Sequence, residues 1–148
     1  MAREAQEKYP LETGGVLVGY WLEDGRDVVV TAISGPGPKA IHAEWEFTPD
    51  YIFHDEFVAA TYARSGRRYV YLGDWHTHPD GGTKLSPVDK STLRGISRSP
   101  HARIVTPVMA IVASDAGDWQ ASFWNYRPGA WRRMKPFGRF IELPLRTY

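Results

Sequence analysis

Cysteine is absent from this chain of 148 residues. Its absence excludes disulfide bonds, thiolate metal sites and a cysteine nucleophile, so any bound metal must be held by nitrogen and oxygen ligands. No apolar run approaches the roughly 20 residues that a membrane-spanning helix needs. The first ten residues, MAREAQEKYP, lack the apolar core of a signal peptide. We therefore expect a cytoplasmic protein with no membrane partner.

An excess of one charge is also missing, since 18 Lys and Arg stand against 17 Asp and Glu, giving a net charge of +1. This balance gives no reason to expect a nucleic-acid partner. The segment WRRMKPFGR (131–139) interleaves basic and aromatic residues, as surfaces for single strands do, but such a run is more often a solvated strand or terminal segment. No repeat or linker divides the chain, so we expect one domain over residues 1–148.

Apolar patterning predicts strands that alternate with helices. Thr48 is the expected N-cap of a helix with Pro49 at its first position, ending near Arg64. The strand PVMAIVAS (107–114) is expected to be buried on both faces. The resulting class is α/β with a mixed sheet. The other expected elements are a helix ending before Pro10, strands at 14–22 and 27–34 joined at Asp24-Gly25, a loop at 35–39, strands at Ala43–Phe47, 67–76 and 119–126, and a helix from Ser86-Pro87 to about Ser97.

The stretch GDWHTHPDGGTKLSPVD (73–89) carries the strongest chemical signal. His76 and His78 alternate along a predicted strand, so both side chains point to one face. The ten residues before Asp89 allow a loop to bring its carboxylate back to the same point. Two histidines and a carboxylate, with a fourth position for water, are a known ligand set for catalytic zinc. The spacing therefore predicts a metal site.

The same stretch also fits an ordinary helix start. Ser86 would be the cap, Pro87 the first helical residue, and Asp89 a first-turn acid favoured by the helix dipole. The two interpretations are compatible, because a hydroxyl accepts one hydrogen bond while it donates another.

The segment HTHPDGGTKLSPVD resembles the JAMM motif of the JAB/MPN metallopeptidases, which is His-x-His, seven residues, Ser, two residues and Asp. An upstream glutamate completes that motif in the family, and LETGGVLVGYW resembles its segment, which gives the role to Glu12. The resemblance covers most of the chain and implies the JAB/MPN fold, a curved mixed sheet flanked by helices, with an architecture like that of cytidine deaminases. Together, ETGGVLVGYW and YLGDWHTHP most resemble bacterial JAB deconjugases of ubiquitin-like conjugation operons, including those of anti-phage defence.

The resemblance also implies a mechanism. One zinc ion would be held by His76, His78 and Asp89. Glu12 would act as general base and then as general acid, and Ser86 would donate a hydrogen bond to the developing oxyanion. Read without the family, Glu12 is only a polar residue before a strand.

The implied reaction is hydrolysis of the isopeptide or peptide bond after the C-terminal tail of a ubiquitin-like protein. Operon-encoded adenylating and conjugating enzymes are the further partners that the resemblance implies. Such enzymes hold the tail extended along a sheet edge. The loop at 34–47 is the candidate for shaping that channel, and the segment DGGTK (80–84) for its rim. No long insertion near the motif is visible, which argues against polyubiquitin linkage specificity.

Three other functions use a related architecture or the same site. A nucleobase deaminase needs His-x-Glu and Pro-Cys-x-x-Cys, which the chain lacks, so it is excluded. A non-catalytic MPN scaffold typically lacks motif residues, whereas all five are present here. Processing of sulfur-carrier-type precursors, or of other peptides, would use the same site and stays open.

Residues around the motif have alternative roles as well. Asp74 shares the strand face of His76 and could accept from its ring N–H, although a bond to the backbone is the more common role of such an aspartate. Trp75 points the other way and is expected in the core. His42, His54 and His101 are expected to be structural or surface residues.

Overall fold

The computed structural model of the protein describes residues 1–23, 25–115, 117–129 and 138–146. In chain order the elements are α1 (Ala2–Lys8), β1 (Gly14–Trp21), β2 (Val28–Ile33), β3 (Ile41–His42), β4 (Phe47–Thr48), α2 (Tyr51–Arg64), β5 (Val70–His78), α3 (Pro87–Arg98), β6 (Val108–Asp115), β7 (Asp118–Arg127) and β8 (Arg139–Leu143).

Six of the strands form one sheet in the order β2-β1-β5-β6-β7-β8, and β3 and β4 form a separate hairpin. β5 and β6 run parallel, whereas the other neighbouring strands are antiparallel. The predicted α/β class with a mixed sheet is therefore confirmed. No helix within the described parts of the chain is long and apolar enough to cross a membrane.

The core lies on both faces of this sheet. Strand β6 contributes alternate residues to each face, as its continuous apolar run predicts. On one face Val108, Ala110 and Val112 pack with Trp75, which is in the core as expected, and with Ala5 of α1. On the other face Met109 and Ile111 pack with the α3 side. The side chains of His76 and His78 also lie on this second face, because His76 pairs with Ile111 and alternate residues of a strand share a face.

The region between β2 and α2 differs from the prediction. Helix α2 begins at Tyr51 and is capped by Asp50 rather than Thr48, because the Asp50 carboxylate accepts hydrogen bonds from the Phe53 and Lys39 backbones at 3.2 and 3.1 Å. Thr48 instead pairs with Ile41 in the hairpin. The single strand predicted at Ala43–Phe47 is also wrong, because its centre forms the turn between β3 and β4, closed by the Ala43 N–H donating to the Glu46 carbonyl.

Two other boundaries differ. Strand β5 begins at Val70 and extends two residues beyond the predicted end at 76, so it includes His78 as well as His76. Strand β8 was not predicted as a separate strand. Most of the segment 131–139, considered above for nucleic-acid binding, lies outside the described residues, as does Asp24 of the predicted turn.

Candidate metal centre and cleft

The pairing of β1 with β5 joins the two parts of the motif. Gly14 lies opposite His76 in the antiparallel register. One residue further, the Thr77 N–H donates to the Thr13 carbonyl at 2.9 Å, and the Thr13 N–H donates to the Thr77 hydroxyl at 2.9 Å. If this register continues, Glu12 lies opposite His78. The strand pairing thus brings Glu12 to the two histidines, although it lies 64 positions before His76 in the sequence.

Gly14 allows this close approach. A Cβ at this position would collide with the Trp75 carbonyl and lie only 2.8 Å from Cε1 of Phe47 in the hairpin. Only glycine leaves room there for both the strand partner and the hairpin. The first glycine of LETGGVLVGYW is therefore required by the close packing of β1 against β5 and the hairpin.

Helix α3 supplies the third ligand candidate. Ser86 and Asp89 form a capping box, in which the Asp89 N–H donates to the Ser86 hydroxyl at 3.1 Å and the Ser86 N–H donates to Asp89 Oδ2 at 2.7 Å. Asp89 is buried, and its carboxylate also lies 3.0 Å from Nε2 of His76 and 3.5 Å from Nε2 of His78. The cap therefore aims the carboxylate at the histidines, so the capping interpretation is confirmed and is compatible with a metal site.

The donor set fits a metal ion. The two Nε2 atoms lie only 3.2 Å apart, and the ligand atoms of His76, His78 and Asp89 all lie within 4.8 Å of one another. The Nδ1–H of His78 donates to the Gly82 carbonyl at 3.0 Å, which leaves the lone pair of Nε2 directed at the centre. Lone pairs of two imidazoles and a carboxylate converge at one point, and this arrangement suits a cation with nitrogen and oxygen ligands.

The charges at the centre are strongly coupled. Burial raises the pKa of the Glu12 carboxyl above its ordinary value, and the neighbouring histidines partly offset the rise. Burial acts in the same direction on Asp89, but its hydrogen bonds with His76 and His78 outweigh it and hold the pKa of Asp89 well below its usual range. The same bond to Asp89 is the main cause that raises the pKa of His78.

All five motif residues line one cleft of about 490 Å³. The β3–β4 hairpin forms part of its wall and is fixed to the backbone of Glu12. The Glu12 N–H donates to the Ala43 carbonyl at 2.8 Å, and Nδ1 of His42 donates to the Glu12 carbonyl at 2.8 Å. The turn of this hairpin places Trp45 at the cleft with 84% of its surface exposed. Glu44 and Trp45 of the segment 34–47 thus line the cleft, and the role of this segment in shaping a substrate channel stays a prediction.

Several of these residues were missed by sequence reasoning. His42 is structural, as predicted, but the sequence did not indicate that the backbone it holds is that of Glu12. Trp45 carried no signal of its own beyond its place in the loop. Asp74 takes neither expected role, because the hydrogen bond that it accepts comes from the Tyr71 hydroxyl at 2.7 Å. Burial raises the pKa of Asp74.

Comparison with known proteins agrees with the resemblance of the motif to the JAB family. The family model described as prokaryotic homologs of the JAB domain matches residues 1–126. The "Probable metalloprotease y4qB" of Sinorhizobium fredii (strain NBRC 101917 / NGR234) is 37% identical over 125 residues, which are 84% of this chain and 76% of that protein. The "CD-NTase/cGAS isopeptidase" of Escherichia coli (strain TW11681) is 36% identical over 86 residues, 57% of this chain. That match spans only about half of the isopeptidase, 54% of its length.

A solved structure shares the fold. The solution structure of protein DSY2949 from Desulfitobacterium hafniense aligns with a TM-score of 0.62, covering 86% of this chain and 77% of that one. At 19% identity the likeness concerns the fold alone.

Proposed function

Because this chain belongs to the family of prokaryotic JAB-domain homologues, whose relatives are named metalloprotease and isopeptidase, we propose that it is a zinc-dependent isopeptidase or peptidase. Its substrate would be the bond after the C-terminal tail of a ubiquitin-like protein. The observation that carries the proposal is the convergence of His76, His78 and Asp89 in the cleft that Glu12 also lines.

Each motif residue has a proposed role. His76, His78 and Asp89 hold the ion, and a bound zinc supplies a Lewis acid that activates water at neutral pH. Glu12 takes a proton from the attacking water and returns it to the leaving amine nitrogen. Its partial burial suits this role, because a carboxylate shielded from water is a stronger base.

Ser86 stabilises the carbonyl oxygen as that oxygen gains negative charge. Its hydroxyl oxygen accepts the Asp89 N–H, and the hydroxyl proton takes no part in that bond. The proton is therefore the donor that we assign to the oxyanion. The helix cap fixes the Ser86 side chain in place for this purpose.

The hairpin and the cleft suggest how the tail is held. Trp45 offers a broad apolar surface at the cleft, and Val88 of α3 adds another side chain that is 72% exposed. An extended tail lying between them would bury both surfaces. Gly81 also lines the cleft and has no side chain, which suits close approach of a glycine-rich backbone.

The proposal is tested with a ubiquitin-like protein joined through its C-terminal glycine to a fluorescent reporter. We expect the zinc-loaded protein to cleave at the junction, a chelator to abolish cleavage, and added zinc to restore it. Asp89→Asn should be inactive, whereas Asp80→Asn, the same chemical change in the same cleft, should retain activity. Cleavage that persists in Asp89→Asn and in chelator would refute the proposal.

A second substrate separates the two reactions that this site could perform. The same ubiquitin-like protein joined to a lysine side chain tests isopeptide cleavage, and the linear fusion tests precursor processing of the sulfur-carrier type. The names of the isopeptidase relatives favour the first reaction. Genes for adenylating and conjugating enzymes beside this one would favour it too, and genes of cofactor biosynthesis would favour the second. A protein that binds zinc but cleaves neither substrate would instead fit an MPN scaffold.

A further inference from the structure

The loop that follows β5 forms hydrogen bonds both with His78 and with strand β7, which lies two strands away in the sheet. Register pairs His76 with Ile111 and Ile111 with Ser122. Ser122 and Trp124 therefore lie on the same sheet face as the two histidines, because side chains alternate along a strand. Two strand spacings separate β7 from β5, or roughly 10 Å.

Both β7 side chains bind the same loop residue. Nε1 of Trp124 donates to the Thr83 carbonyl at 2.8 Å, and the Ser122 hydroxyl donates to the Thr83 hydroxyl at 3.0 Å. Leu85, two residues further, is buried in the cluster that Trp124 flanks. Segment 79–85 is thus held at its far end by β7.

The same loop presents the carbonyl that orients His78. Gly82, the residue before Thr83, accepts the Nδ1–H of His78. The loop also lies against the ring, since a Cβ on Gly81 would lie 3.7 Å from Cγ and 3.9 Å from Nδ1 of His78. A shift of Thr83 would therefore move the Gly82 carbonyl. The His78 ring would then lose the hydrogen bond that fixes its tautomer and its orientation.

We propose that Trp124, assisted by Ser122, is a positioning residue for the metal centre, which acts through Thr83 and the Gly82 carbonyl to hold Nε2 of His78 on the ion. This inference rests on the proposed metal site. Carbonyl or carboxylate partners that orient a ligating histidine typically change metal affinity about ten- to a hundredfold when they are removed. Trp124 acts one step further from the ring, so its loss should cost less.

The chain offers a matched control on the same strand. Trp119 of β7 donates its Nε1–H to the Gln6 side chain at 2.9 Å, and it faces the opposite side of the sheet. Trp124→Phe and Trp119→Phe each remove one indole donor and keep an aromatic ring. They should lower the stability of the metal-free protein similarly, and only the first should alter the metal centre.

The measurement is metal affinity by competition with a chromophoric chelator, together with the visible absorption spectrum of the cobalt-substituted protein. We expect Trp124→Phe to weaken zinc binding about three- to tenfold and to change the cobalt spectrum, with Trp119→Phe like wild type in both. Ser122→Ala and Thr83→Val should each reduce zinc affinity by less than Trp124→Phe does. Because both substitutions break the same hydrogen bond, the double variant should lose no more zinc affinity than either single variant.

The outcomes separate the inference from the proposed function. Wild-type protein that binds neither zinc nor cobalt would refute the metal centre itself. Tight metal binding with the same affinity and spectrum in wild type, Trp124→Phe and Ser122→Ala would refute the positioning role alone. If Trp124→Phe fails to fold, Ser122→Ala decides the question by the same two readouts.

Discussion

Replacing Glu12 by glutamine tests the proposed chemistry without disturbing the fold. The contacts that fix the hairpin beside Glu12 use its backbone N–H and carbonyl, which the substitution keeps. A glutamine side chain has nearly the same size but cannot take up the proton from water. General base and acid work contributes about 10²- to 10⁴-fold to a rate, so kcat should fall by that factor. The barrier would rise by about 3 to 5 kcal/mol.

The assay is cleavage of the reporter fusion by zinc-loaded Glu12→Gln, with zinc content and the urea midpoint measured on the same sample. Glu44→Gln is the matched control, because Glu44 also lines the cleft but lies at the turn of the hairpin. We expect full zinc occupancy and an unchanged midpoint in both variants, with the large loss of kcat confined to Glu12→Gln. If Glu12→Gln kept more than about a tenth of the wild-type kcat, the assignment of Glu12 as proton carrier would be wrong.

Four further predictions concern the site and the fold around it. Asp89→Asn should weaken zinc binding by at least about a hundredfold, measured by chelator competition. A residue that binds the ion directly contributes more to metal affinity than the residues that orient such ligands, whose loss costs about ten- to a hundredfold. In chelator-treated protein, the stability contributed by the contacts of Asp89 with His76 and His78 should be greatest between the ordinary pKa values of 3.8 for Asp89 and 6.5 for His78. This stability is lost as pH falls, because the pKa of Asp89 is lowered in the folded protein, and it is lost as pH rises through the raised pKa of His78. A plot of the urea midpoint against pH should show the maximum, and Asp89→Asn should flatten that plot. Trp45→Ala should raise KM about five- to tenfold with little change in kcat, because tryptophans that a partner buries are enriched among the residues whose truncation costs more than about 1 kcal/mol of binding, and an unchanged KM would remove Trp45 from the binding surface. Leu93→Ala, which truncates a fully buried side chain of α3 that packs on the sheet, should lower the free energy of unfolding by about 2 to 5 kcal/mol in urea titration.

The parts of the site that are local in sequence could be predicted from it. His76 and His78 share a face because of strand alternation, and the Ser86–Asp89 cap follows from helix-start preferences that operate over about four residues. Glu12 could be predicted only through the family resemblance, because its place beside His78 depends on the register of β1 against β5. Nothing in either segment alone specifies that register.

The errors have a similar origin. Thr48-Pro49-Asp50 contains two residues that can cap a helix, and the choice of Asp50 depends on the Lys39 backbone, eleven residues away. The strand predicted at Ala43–Phe47 is instead the turn of the hairpin, which the Ala43 N–H closes by donating to the Glu46 carbonyl, while the Ala43 carbonyl accepts from the Glu12 N–H. Tertiary hydrogen bonds that local propensity does not describe therefore contribute in both cases.

The centre is therefore held by backbone contacts on one side and by side chains on the other. Glu12 is fixed through main-chain bonds to the hairpin, so a change of its side chain should alter chemistry and leave position intact. Asp89 is different, because the carboxylate that faces the histidines also closes the capping box of α3. Its substitution must affect helix and metal centre together, and activity loss in Asp89 variants cannot by itself be assigned to lost metal. Metal affinity measured beside helix stability is the measurement that separates the two effects.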